Sequence, residues 1–237
     1  ITANALTISV KGGINARGLY IERQSTADLG TGSSISVTGA QAARAISISG
    51  ASTLKANTIE INTDYTVTNS IYAAVDVQDY GSFVDLGTGS SITTNGRGAS
   101  AVSVFGSNGI AANGPAVFSA TNLSIITNGN MSYGIDANDA STIHLGSGSS
   151  IVTHGTDSNG IIMYDTIVNA DALTVTTTGG GNAIGLEALT TAKVNIGAGS
   201  HISSAQAGAL VASGDSSVIN FLGTESNHNT IFSGGSY

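Results

Sequence analysis

Three acidic residues recur at a spacing that could support chemistry. Asp76, Asp136 and Glu187 fall at the same outward position in every second repeat of the chain. Neighbouring strands of a sheet lie about 4.8 Å apart, so positions two repeats apart should be about 9.6 Å apart. The carboxylates of an inverting glycosidase are separated by roughly 6.5–9.5 Å. Asp76 and Asp136 therefore indicate one candidate reaction, the hydrolysis of a polysaccharide by an acidic face.

The same acids also have non-catalytic interpretations. An acidic stripe, with Asp79 and Asp139 repeating beside the first two members, could attract a basic partner or a divalent cation. Solvated acids also keep an elongated protein soluble and discourage pairing between sheet edges. Binding of acidic polysaccharides would require Arg and Lys, and only Lys193 follows Arg97. The sequence leaves three roles of these acids open: hydrolysis, attraction of a basic partner or divalent cation, and solubility.

Several other kinds of site are not expected. His154, His201 and His228 are too far apart in the repeat order to share a metal, and His144 occupies a regular repeat position, so no metal site is predicted. The segment from Gly214 to Ser217 lacks the second glycine of a serine-nucleophile motif, and no triad partners accompany it. The Gly-rich corners lack the lysine of a phosphate-binding loop, so no cofactor is expected. With 7 Lys and Arg against 15 Asp and Glu, nucleic acid is an unlikely partner class.

Aromatic residues and one insertion mark a candidate contact surface. Tyr72, Tyr80 and Tyr133 are predicted at strand ends, where a partly exposed phenol could anchor a partner or a sugar. Residues 106–115 hold the single proline and an apparently exposed Ile110, and should project as a loop. That loop is either a tolerated insertion or part of the ligand surface. The candidate ligand-binding residues are Tyr72, Asp76, Asp79, Tyr80, Ile110, Tyr133, Asp136 and Asp139.

The elements that must position these residues are repeats of two alternating kinds. An Asp-Leu-Gly-Thr-Gly-Ser-Ser-Ile segment at residues 85–92 recurs at 28–35 and, with small changes, at 144–151 and 195–202. An Ala-x-x-Leu-x-Ile pattern alternates with it. Each repeat begins 25 to 34 residues after the preceding repeat of the other kind. One aligned position always carries a large aliphatic residue: Leu6, Ile35, Ile59, Ile92, Leu123, Ile151, Leu173, Ile202 and Ile231.

These repeats predict an all-β fold. Apolar and polar residues alternate over short segments, as in half-buried strands, and no segment sustains the three- and four-residue spacing of helical repeats. Hydrophobic residues make up 41% of the chain and charged residues 9%, so a folded core is expected rather than disorder. We predict a right-handed parallel β-helix of about nine turns, with three short strands per turn and incomplete end turns. Residues 1–237 form one β-helical unit with the insertion at 106–115.

The Gly-Ser corners, the alternating Ala-containing turns and the absence of cysteine together resemble the passenger domains of bacterial type V autotransporters. The similarity is to the adhesin group that includes pertactin, AIDA and antigen 43. It implies a fragment of a longer, non-enzymatic adhesin, displayed at the bacterial surface or secreted, and anchored through a β-barrel that this sequence does not contain. It also implies host matrix proteins, cell-surface proteins or glycans as partners, and self-association in aggregation or biofilm formation.

Overall fold

A computed structural model describes residues 1–65, 72–106 and 114–234. These residues form 25 strands. Within the described ranges, no helix has the length and apolar character needed to span a bilayer. Ile110 and the central part of the predicted loop at 106–115 lie outside the described residues.

The strands form three parallel sheets, here named A, B and C. Sheet A contains β3 (Thr26–Thr31), β6 (Thr53–Asn57), β9 (Phe83–Thr88), β12 (Val117–Thr121), β15 (Thr142–Leu145), β18 (Ile167–Ala170), β21 (Lys193–Gly197) and β24 (Val218–Leu222). Sheet B contains β1 (Thr7–Lys11), β4 (Ser34–Ala40), β7 (Glu60–Tyr65), β10 (Ser91–Asn95), β13 (Ser124–Thr127), β16 (Ser150–Thr153), β19 (Thr174–Thr177), β22 (His201–Ser204) and β25 (Thr230–Ser233). Sheet C contains β2 (Asn15–Ile21), β5 (Ala42–Ile48), β8 (Val75–Gln78), β11 (Val102–Phe105), β14 (Ile135–Asn138), β17 (Ile161–Tyr164), β20 (Leu186–Leu189) and β23 (Leu210–Ser213).

Each strand pairs with the third strand after it in the chain, which makes the molecule a solenoid. In sheet C, for example, β8 pairs with β11 and β11 with β14, all in parallel. The predicted parallel β-helix with three strands per turn is therefore confirmed. Its described part makes about eight turns, since sheets A and C have eight strands each and only sheet B has a ninth.

The core is a stack of aliphatic side chains inside the coil, and its register corrects one prediction. Strand pairing aligns Ile35 with Ile61 and Ile92 with Ile125, rather than with Ile59 and Leu123. The observed column in sheet B is Ile8, Ile35, Ile61, Ile92, Ile125, Ile151, Val175, Ile202 and Ile231. The predicted column was thus wrong by two residues in every Ala-containing turn.

The aliphatic residues that were wrongly assigned to this column, Leu6, Ile59, Leu123 and Leu173, lie at the corner between sheets A and B. At that corner the Gly-containing turns carry a buried serine instead: Ser33, Ser90, Ser149 and Ser200. Each serine Oγ accepts the N–H of the aliphatic residue one turn before it, at 2.9 to 3.3 Å. At each such corner the Ala-containing turn supplies the N–H donor and the following Gly-containing turn supplies the serine acceptor, which explains why the two kinds of turn alternate.

Outward residues on sheet A are also bonded from turn to turn. Asn195 Nδ2 donates to Asn169 Oδ1 at 2.8 Å, and Asn220 Nδ2 donates to Asn195 Oδ1 at 2.9 Å. These amides satisfy each other along the coil, so this stretch of surface has a structural explanation.

Candidate functional site

The predicted acidic column lies on the outer face of sheet C. Strand pairing places Ser103 between Asp76 and Asp136, one turn from each. Ile162 lies between Asp136 and Glu187 in the same way. The predicted outward position and the two-turn spacing of the acids are therefore confirmed.

A small groove opens on this face where the column passes Ser103. It has a volume of about 260 Å³ and is named here the sheet C groove. Its lining includes Arg44, Tyr72, Asp76, Ser103, Phe105 and Asp136. Ser103 forms a low point because its short side chain stands between two longer carboxylate side chains.

One end of the sheet C groove is held by a buried ion pair. Arg44 Nε donates to Asp76 Oδ2 at 2.8 Å, and the two side chains are only 11% and 7% exposed. The Arg44 guanidinium also stacks on the Tyr72 ring, 3.8 Å from its centroid. Gln78 Nε2 donates to the same Asp76 oxygen at 3.1 Å. Burial raises the pKa of Asp76 because desolvation outweighs the opposing attraction of Arg44.

The other end of the groove carries a carboxylate without a cationic partner. Asn138 Nδ2 donates to Asp136 Oδ1 at 2.7 Å. No ion pair involves Asp136 among the described residues. Burial raises the pKa of Asp136, and the bond from Asn138 offsets this only in part.

Two tyrosines and a third acid continue this face beyond the groove. The pKa of Tyr133 is raised first by burial and then by the negative charge of Asp136. The pKa of Tyr164 is raised by burial and by Glu187. Glu187 itself accepts a bond from Asn159 Nδ2 at 2.6 Å, and burial raises its pKa. Tyr133 and Tyr164 therefore lie within electrostatic range of the acidic column.

The remaining predicted residues turn away from this face because β8 and β14 end before them. Asp79 and Asp139 have positive φ values of 71° and 52° at the corner that leads to sheet A. Asp79 Oδ2 accepts the Gly50 N–H at 3.0 Å, so this carboxylate bonds the main chain of the preceding turn of the coil. Tyr80 lines a different groove of about 540 Å³, together with Pro115 and Ile167, named here the sheet A groove. Of the predicted residues that the structure describes, Tyr72, Asp76, Tyr133 and Asp136 lie at sheet C, whereas Asp79, Tyr80 and Asp139 lie at or beyond the corner that leads to sheet A.

The predicted site did not include six lining residues of the sheet C groove: Arg44, Ala73, Gln78, Ser103, Phe105 and Asn138. Gln78, Phe105 and Asn138 form a second register column beside the acids. Arg44 reaches Asp76 across 32 residues of sequence, which is one turn of the coil. The alignment of the acids already placed Ser47 beside Asp76, so the available signal was the next outward residue of each strand and the arginine three residues before Ser47.

The described residues contain no group of three or more His, Asp or Glu side chains arranged to hold a metal ion. The chemistry around the sheet C groove consists of carboxylates, amides, the Arg44 guanidinium and aromatic rings. Such groups can donate and accept hydrogen bonds at closely spaced positions.

The chain has relatives among curated proteins of Escherichia coli. All of it, over 238 aligned residues, is 44% identical to "Probable autotransporter YcgV" of strain K12, of which it covers 23%. It is also 44% identical to "Putative uncharacterized protein YcgV" of strain O157:H7, of which it covers 41%. The chain therefore spans less than half the length of these relatives.

Two further comparisons give no match. No protein-family model matches the chain, and no solved structure matches it. The expected relationship to bacterial autotransporters is nevertheless confirmed by the similarity along the whole chain, and a parallel β-helix is the fold expected of an autotransporter passenger domain.

Proposed function

We propose that this chain is a segment of a surface-displayed or secreted passenger that makes non-enzymatic adhesive contacts through the outer face of sheet C. The name of the K12 relative supports export of this kind. The coil provides a rigid spacer, and the groove with its neighbouring tyrosines provides the contact surface. The proposed partners are host matrix proteins, cell-surface proteins or glycans.

The observation that carries this proposal is the burial of charge around an open groove. Arg44 and Asp76 are almost fully buried, and Asp136 is partly buried with no ion-pair partner among the described residues. A buried ion pair is weak evidence for a stabilising role, because desolvation can exceed the attraction between its charges. Sheet A shows that neutral amides can serve at outward positions of this coil. The charged groups of sheet C therefore support a role in recognition.

Hydrolysis remains the alternative reaction for the same acids, but the contacts of Asp76 favour binding. Its carboxylate accepts bonds from both Arg44 and Gln78. A general base needs a free lone pair directed at the attacking water. These two bonds hold the Asp76 oxygens in a fixed structural arrangement.

A pair of matched substitutions tests the face that makes contact. Tyr133→Ala removes a phenol beside the sheet C acids, whereas Tyr80→Ala removes one from the sheet A groove. Binding of the purified chain to epithelial cells and immobilised matrix proteins would be measured for both variants. We expect Tyr133→Ala to reduce binding and Tyr80→Ala to leave it unchanged.

The reverse pattern would assign adhesion to sheet A. Analytical ultracentrifugation on the same samples tests self-association. Concentration-dependent dimers that are lost in Tyr133→Ala would instead make a second copy of the chain the partner of sheet C.

A further inference from the structure

We infer that the sheet C groove binds one neutral sugar residue of a glycan. This inference rests on the proposed adhesive function and specifies its ligand. The groove volume of about 260 Å³ lies below the roughly 300–1,000 Å³ typical of drug-sized ligands, so it suits one sugar residue rather than a whole oligosaccharide.

The polar groups of the groove match the alternating donors and acceptors of a polyol. Asp136 has one oxygen bonded to Asn138, which leaves acceptor capacity for sugar hydroxyl groups. The amides of Gln78 and Asn138 stand two turns apart, on either side of Phe105. Each amide carries a donor and an acceptor group on one planar side chain. Ser103 supplies a hydroxyl at the low point between the carboxylates.

The groove also offers an apolar surface beside these polar groups. Phe105 is partly exposed and lies one turn from both Gln78 and Asn138. An aromatic ring at this position can pack against the C–H face of a sugar ring while the neighbouring side chains bond its hydroxyls. One face of the Tyr72 ring is already covered by Arg44, so Tyr72 holds the arginine in place.

The charges favour a neutral sugar over an acidic one. Arg44 is neutralised by Asp76, so it offers little net attraction to an anion. A uronate or sialate carboxylate in this groove would also face Asp136, a like charge in a partly buried place. Hydroxyl groups avoid this repulsion, and the amides of Gln78 and Asn138 can bond them without any charge on the ligand.

Nuclear magnetic resonance titration of the ¹⁵N-labelled chain tests this inference directly. The probes are the methyl glycosides of galactose, glucose, mannose and N-acetylglucosamine, with N-acetylneuraminic acid, glucuronic acid and glucosamine as charged comparisons. We expect at least one neutral sugar to shift the amide signals of Ser103, Phe105 and Asn138 at lower concentration than any charged sugar. Tighter binding of a charged sugar, or shifts confined to sheets A and B, would overturn the inference.

A matched pair of variants locates the site. Ser103→Leu fills the low point of the groove, whereas Ser119→Leu places the same side chain at an outward position on sheet A. Ser103→Leu should weaken sugar binding about tenfold or more, which corresponds to about 1.4 kcal/mol, and Ser119→Leu should not. Circular dichroism confirms folding, and the titration of the unsubstituted chain gives an answer even if Ser103→Leu does not fold.

Different results would contradict the sugar assignment and the proposed adhesive function. Cell or matrix binding that depends on Tyr133, without any response to neutral sugars, would overturn the sugar assignment and leave the adhesive function standing. Absence of both would overturn both. Release of reducing ends from a neutral glycan, lost in Asp136→Asn, would replace binding with hydrolysis.

Discussion

The Oγ of Ser90 accepts the N–H of Ile59 at 3.1 Å, across one turn of the coil, and donates its own proton to the carbonyl of Leu86 at 2.6 Å. Ser90 is 1% exposed and Ile59 is equally buried. One hydroxyl therefore satisfies two buried main-chain groups at a corner where the strand ladder is interrupted. The same arrangement at Ser33, Ser149 and Ser200 joins each Gly-containing turn to the Ala-containing turn before it.

Removing this hydroxyl should destabilise the coil. Ser90→Ala leaves the buried Ile59 N–H without its acceptor, and an unsatisfied buried donor costs about 1–3 kcal/mol. Urea denaturation measures the change in the free energy of unfolding. Ser91→Ala is the control, because Ser91 is the outward neighbour and should change stability by less than about 0.5 kcal/mol. Equal effects of the two substitutions would contradict this account of the corner.

Two buried threonines of sheet B should respond in opposite directions when each is replaced by valine. Thr94 Oγ1 donates to the Ala99 carbonyl at 2.6 Å, whereas Thr63 Oγ1 is buried and has no hydrogen-bond partner within the described ranges. Valine has nearly the same shape as threonine without the hydroxyl. We expect Thr63→Val to raise the free energy of unfolding by about 1 kcal/mol and Thr94→Val to lower it by a similar amount. Destabilisation by Thr63→Val would show that its hydroxyl has a partner.

The interior register was the part of the fold that repeats alone could not determine. Ile59 and Ile61 differ by two positions, so an alternating pattern assigns both to the same side of a predicted strand, and both are in fact buried. Alternation therefore identifies the buried face but cannot choose between them. The corner decides which of the two joins the sheet B column. Ile59 occupies the corner position of its coil, and Ser90 occupies the equivalent position of the following coil, which leaves Ile61 to align with Ile92. Three strands per turn followed directly from the repeats.

The candidate site was less predictable because its contacts cross turns. The repeats placed Asp76 and Asp136 on one face, since equal positions stack in a solenoid. Arg44 was missed because its partner lies 32 residues away and its column is not repeated in every turn. Tyr80 was grouped with Tyr72 by proximity in sequence, although the chain turns the corner to sheet A between them.

The ion pair of the groove should show strong coupling. Arg44→Met or Asp76→Leu alone leaves one buried charge without its partner, which typically costs about 3–5 kcal/mol. The double substitution removes both charges and should cost less than the sum of the two single changes. Thermal and urea unfolding of the four proteins give the coupling energy. A coupling energy near zero would contradict the pairing of these side chains in solution.

Asp136 should make stability depend on pH in a predictable direction. Burial raises its pKa above the usual 3.8, so between the two values the folded protein binds more protons than the unfolded chain. Stability contributed by this group is therefore lost as pH rises from 3.8 through the raised pKa. Asp136→Asn stays neutral and keeps an oxygen for the bond from Asn138. We expect this variant to melt at a higher temperature than the unsubstituted chain at pH 7, with the difference disappearing below pH 3.8.

Asp165→Asn is the control of opposite sign. Bonds from the hydroxyls of Thr191 and Thr190 lower the pKa of Asp165, so its contribution to stability is present above 3.8 and is lost as pH falls through the lowered value. This variant should melt at a lower temperature at pH 7. A lower melting temperature for Asp136→Asn at pH 7 would contradict the burial of its charge.

The most direct test of adhesion through sheet C uses the absence of cysteine from the chain. Ser103→Cys, Ser119→Cys and Ser91→Cys each introduce one thiol at an outward serine, on sheets C, A and B respectively. Each variant is labelled with a maleimide-linked polyethylene glycol, and its binding to epithelial cells is measured beside the unlabelled protein. The account predicts that labelling at position 103 abolishes binding while labelling at 119 and 91 leaves it intact. Full binding after labelling at 103, with loss at 119 or 91, would contradict it.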